Sequence, residues 1–153
     1  MLAPMADDTF GTTKKLLEQV LTKLGLDPAG ARVRDEADLV AWGIWRGSAQ
    51  LLLIAQTSDK GTWVRAVAPV VVCPTDHALR LSLFARLLEL NGKAMRNAAF
   101  GVLNEKVVIV SERPAEGLDA AEVEQIVRHV GAAADHYDDV FEKEYGLPRA
   151  SQA

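Results

Sequence analysis

Three apolar runs separated by very short links constrain this chain more than anything else in it. They are "LVAWGIWRG" (Leu39–Gly47), "AQLLLIAQT" (Ala49–Thr57) and "TWVRAVAPVVV" (Thr62–Val72). Their length and their content of β-branched, aromatic and aliphatic residues predict strands. Gly47-Ser48 supplies one turn and "SDKG" (Ser58–Gly61) the next. Links this short force consecutive strands to run antiparallel. Pro69 cannot donate to a ladder, so the third strand is expected to end, bend or lie at an edge there.

Helical periodicity flanks this block. From Thr9 to Leu24 the residues Leu16, Leu17, Val20, Leu21 and Leu24 form one apolar stripe, and Gly25, Pro28 and Gly30 stop it. The next ten residues, "ARVRDEADLV", are charged and read as a connection. Thr75 or Asp76 predicts the N-cap of a second helix, which runs to about Leu90. Its apolar residues cover more than a narrow stripe, which implies burial on more than one side. Asn91 or Gly92 is expected to close it in the left-handed conformation. A hairpin follows, Asn97–Leu103 and Lys106–Ser111, with Asn104-Glu105 at its tip. Asp119 and Glu122 stand in capping-box register before a long final helix that Gly146 and Pro148 end. Its stripe includes Val123, Ile126, Val127, Val130, Ala134, Tyr137, Phe141 and Tyr145, and Gly131 in its middle allows a bend. The order is α-β-β-β-α-β-β-α. It predicts an α+β fold with a five-stranded antiparallel sheet packed by helices. A single domain over 9–148 is expected, with loose tails at 1–8 and 149–153.

Composition narrows the function classes. Of 153 residues, 49% are apolar and 25% charged, which suits a folded domain with its own core. The single Cys73 cannot close an internal disulfide, so a reducing, cytoplasmic setting is expected. The uncharged stretch Ala66–Thr75 is too short to cross a bilayer and contains two prolines. The formal net charge of −4 opposes phosphate binding, and Lys93, Arg96 and Lys106 make only a thin basic patch. No nucleic-acid or membrane partner is expected. "GTTKK" (Gly11–Lys15) lacks the glycine spacing of a phosphate loop, and no cofactor is expected.

Several stretches together resemble the YbjN-like family, whose fold is shared with type III secretion chaperones. They are "LLELN" (Leu87–Asn91), "AAFGVLNEKVVIVSERP" (Ala98–Pro114), "GLDAAEVEQIV" (Gly117–Val127) and "ADHYDDVFEKEYG" (Ala134–Gly146). The resemblance spans Leu39 to Gly146. It implies a small acidic cytoplasmic protein that forms homodimers, has a chaperone-like or regulatory role, and binds a protein partner without catalysis. Secretion chaperones of this fold bind extended segments of partner proteins.

Candidate sites follow from the residues. Alternation puts Trp42 with Val40 and Ile44 on one face, and Trp45 with Leu39, Ala41 and Gly43 on the other. Two apolar faces imply that helices cover one side and a further helix or subunit covers the other. Trp45 and Trp63, with Phe84 and Leu88 on the second helix, are therefore the candidate partner or dimer surface. The alternative is an enzyme or small-ligand protein with a pocket near Cys73 and His77, where a helix start can lower a thiol pKa. His129, Asp135, His136, Asp138 and Asp139 match no metal-binding spacing and read as part of a solvated acidic face. From Asp119 to Glu144 there are eight acids against two bases, a face that could also dock a basic partner segment.

Overall fold

The computed structural model describes residues 8–150. Its elements are α1 (Thr9–Lys23), α2 (Pro28–Ala31), β1 (Arg32–Asp35), β2 (Leu39–Arg46), β3 (Ala49–Ser58), β4 (Gly61–Val72), α3 (His77–Lys93), β5 (Ala99–Leu103), β6 (Lys106–Pro114) and α4 (Ala120–Tyr145). The strands form one antiparallel sheet in the order β1-β2-β3-β4-β6-β5. The α+β class and the antiparallel sheet agree with the sequence reading, but there are six strands where five were expected. The extra strand, β1, comes from the charged connection. It is four residues long, carries Arg32, Arg34 and Asp35, and has a bulge against β2. Short, charged and bulged edges resist pairing with other chains, which is why no apolar alternation marks this strand.

Turn chemistry sets the registers. Arg46 pairs with Ala49 across Gly47-Ser48, and Ser58 pairs with Gly61 across Asp59-Lys60. Asn104 and Glu105 both take positive φ, 50° and 61°, as a two-residue hairpin tip requires. The ladder between β4 and β6 shifts register between Pro69 and Val71, so the proline bends the strand without ending it.

Helices α1 and α4 cover one face of the sheet. Beneath them Val40, Trp42, Ile44, Leu51 and Leu53 are at most 1% exposed. Helix α4 starts with the full capping box, Asp119 accepting from the Glu122 N–H and Glu122 from the Asp119 N–H, and ends at a left-handed Gly146. Gly131 serves close packing: a Cβ there would lie 2.8 Å from Arg46 Cγ. Helix α3 packs beside β5 through Leu83, Leu87 and Leu90.

Two expected ends differ. Helix α3 does not stop at Asn91-Gly92 but continues to Lys93. The Asn91 side chain is held by β5: it accepts from the Phe100 N–H at 2.7 Å and donates to the Phe100 carbonyl at 3.2 Å. The left-handed residue after the helix is Asn97, with φ 52°. At the other end, the loose tail expected from 149 does not begin there. Ala150 is 2% exposed, and Arg149 forms a β-bridge with Val71. Of the tails placed at 1–8 and 149–153, residues 1–7 and 151–153 lie outside the described residues.

Candidate functional site

The side of the sheet away from α1 and α4 is formed by the alternate residues of each strand. Register puts Trp45 opposite Gln50, Gly43 opposite Leu52, Ala41 opposite Ile54, and Leu39 opposite Gln56, which in turn faces Trp63 on β4. Trp45 and Trp63 therefore share one face, with Leu52 and Ile54 between them. Trp45 is 60% exposed and Trp63 39%. Val33 of β1, also exposed, lies over Gly43. A cavity of about 430 Å³ opens on this face, lined by Leu39, Ile54, Gln56, Trp63, Arg65 and Glu112. Arg65 and Glu112 approach to 3.5 Å at its side. The arrangement offers two flat aromatic surfaces, an aliphatic floor and a few polar groups, a combination suited to a polypeptide segment.

Phe84 and Leu88 sit elsewhere, on α3. Leu88 is 71% exposed and Leu81 72%. With Ala78 and Ala85, also exposed, they form a stripe at spacings of three, four and three, the repeat of a helix–helix seam. Phe84 is half-buried, with the Arg80 guanidinium 4.9 Å from its ring centroid. The sequence therefore named residues of two surfaces, one on the sheet and one on α3, and missed Leu81.

The pocket reading around Cys73 and His77 finds no support in the thiol. Cys73 is 5% exposed, and burial raises its pKa above the ordinary thiol value, against a smaller lowering by Arg80. A thiol pushed in that direction is a poorer nucleophile at neutral pH. The Cys73 N–H is tied to the Glu105 carbonyl at 2.8 Å, and Arg80 pairs with Glu105 at 2.7 Å. These contacts fasten the hairpin tip to the start of α3.

The acidic residues of α4 are not one solvated face. Asp138 is 2% exposed. Ser48 Oγ lies 2.6 Å from both Asp135 Oδ1 and Asp138 Oδ2, and the Ser48 N–H donates to Asp135 at 2.8 Å. Gly47 is required here, because a Cβ would lie 2.5 Å from Asp135 Oδ1 and φ is +58°. The Ser48 bonds lower the Asp135 pKa, whereas burial raises that of Asp138. Asp139 pairs with Arg149. Among the described residues no group of three or more His, Cys, Asp and Glu side chains converges to hold a metal ion. Among the described residues no helix is long and apolar enough to cross a membrane.

Comparison with known proteins bears on the family and the fold. Residues 12–150 match the family described as TY-Chap1, "T3SS (YopN, CesT) and YbjN peptide-binding chaperone 1". Solved structures with a similar fold include the HopA1–SchA chaperone–effector complex, at a TM-score of 0.59 and 14% identity over 90% of this chain and 99% of that one. The ExsC–ExsE complex gives 0.59 and 15% over 86% and 94%. The Yersinia pestis type III secretion chaperone SycH, in complex with a stable fragment of YscM2, gives 0.55 and 12% over 82% and 98%. No curated protein matches.

Proposed function

The chain belongs to the family of type III secretion and YbjN peptide-binding chaperones, and we propose that it holds an extended segment of a partner protein on the open face of its sheet. The observation that carries this reading is the pair Trp45 and Trp63, exposed on the sheet face opposite α1 and α4. Large aromatic side chains left in water cost free energy that a partner recovers, and aromatic residues dominate binding hot spots. The role is chaperone-like or regulatory, needs no catalysis, and is carried out in the cytoplasm. A homodimer completes it: Leu81 and Leu88, with Ala78 and Ala85, give a seam on α3 for a second copy, and Phe84 borders that seam.

The test is an array of overlapping peptides from candidate partners, probed with the wild-type chain and a Trp45→Ala, Trp63→Ala double variant of unchanged melting temperature. The expected result is a set of peptides bound by wild type and lost with the variant. Equal retention by both forms, or no retention by either, would overturn the reading. Sedimentation of a Leu81→Glu, Leu88→Glu variant reads the dimer separately: wild type sediments as a dimer and the variant as a monomer. A wild-type monomer at micromolar concentration would overturn the dimer.

A further inference from the structure

Strand β4 is paired unequally on its two sides. On one side β6 follows it to Val72. On the other, β3 pairs with it only as far as Val67, where Leu52 is the partner. Past the end of β3, that side of Val71 and Val72 is met by the chain's own Pro148 and Arg149. The Val72 N–H donates to the Pro148 carbonyl at 3.0 Å, and Val71 bridges Arg149 antiparallel. Leu147 and Ala150 are 6% and 2% exposed on either side of Arg149. The Arg149 guanidinium meets three carboxylates: Glu142 at 3.0 Å, the buried Asp138 at 3.4 Å, and Asp139.

These contacts have the form of strand addition combined with a side-chain preference. Backbone pairing to β4 accepts any extended segment. The carboxylates of α4 select a guanidinium, whose planar fork contacts several oxygens at once. The apolar sites of Leu147 and Ala150 flank it. The resident segment is short and meets β4 through one Val72–Pro148 bond and one bridge at Val71–Arg149, so few backbone bonds need open for it to leave. We propose that Leu147–Ala150 is a built-in competitor, occupying a slot on β4 that also takes an extended, arginine-bearing segment of a partner. This surface is separate from the Trp45 and Trp63 face and does not rest on it.

An occupied slot weakens an incoming ligand by the fraction of time it stands vacant. The probe is a fluorescein-labelled peptide copying residues 144–150, titrated by anisotropy into the full chain. Wild type should bind it weakly. Arg149→Ala, which loosens the resident segment, should bind at least about 10-fold more tightly. Adding Asp138→Asn to that variant should remove most of the gain. A control peptide with alanine in place of arginine should not bind. If Arg149→Ala fails to fold, Arg149→Lys keeps the charge without the fork and reads the same competition at about 3-fold. Equal affinity in wild type and variant, or no binding by either, would overturn the proposal. Binding lost instead in the Trp45→Ala, Trp63→Ala variant would place the peptide on the open sheet face, supporting that surface and overturning the slot on β4.

Discussion

Trp42 and Trp45 are three residues apart on one strand, yet the first is fully buried and the second is 60% exposed. Both are large and amphipathic, so residue type does not separate them. Parity does: Trp42 points toward α1 and α4, and Trp45 points away from them. The covered face is finished within the chain. Its Val, Ile and Leu side chains interlock with the α4 stripe, and Phe100, Tyr137 and Phe141 add ring contacts at 5.0–5.7 Å. On the open face, similar side chains such as Trp45 and Trp63 stay exposed. On the proposed reading, hydrophobicity in this sheet serves two ends, folding on one side and recognition on the other.

Substitutions sharpen that comparison. The largest effect is expected at Trp42→Ala, where removing a fully buried indole should cost about 3–5 kcal/mol of stability, read by urea unfolding. A loss under about 1 kcal/mol would mean that the covered face is not the core. Next is Asn91→Ala, which strips the Phe100 N–H and carbonyl of their partner at the β5 edge. Leaving them unpaired should cost about 1–3 kcal/mol in the same assay, with faster exchange of the Phe100 amide.

The third effect depends on pH. Burial raises the Asp138 pKa in the folded chain above its unfolded value, so the folded state binds the proton more tightly. Its contribution to stability is present below the ordinary carboxylate range and is lost as pH rises through the raised value. Unfolding midpoints between pH 4 and 7 should therefore show a downward contribution in wild type that Asp138→Asn removes. An unchanged profile in the variant would assign that slope to other groups. The smallest stability effect is expected at Trp45→Ala, within about 0.5 kcal/mol, although binding should fall sharply. A large loss of stability there would make Trp45 a core residue and break the contrast.

Much of this was legible in the sequence. The meander from Leu39 to Val72, the Asn104-Glu105 tip, the capping box and the Gly146 stop are local, and local rules found them. Alternation put Trp45 and Trp63 among the candidates. What was missed depends on tertiary partners. Strand β1 carries edge-blunting charges in place of an apolar pattern, so "RVRD" read as a connection. Asn91 has the composition of a helix stop, but Phe100 recruits its amide as a substitute strand neighbour. Asp135 and Asp138 stand at surface-like spacing on α4, and Ser48, from a distant turn, and Arg149 reach them from elements far along the chain. The exposed stripe through Leu81 was hidden because the apolar width of α3 suggested burial on more than one side.

The most direct measurement is tryptophan fluorescence on single-tryptophan variants, each with the other two replaced by phenylalanine, titrated with a peptide that the array identifies. The account predicts that the emission of Trp45 and Trp63 moves to shorter wavelength and becomes shielded from acrylamide as peptide binds, while Trp42, already buried, does not change. Saturation with peptide that leaves Trp45 and Trp63 as open to the quencher as before would contradict the assignment of the open sheet face as the binding surface.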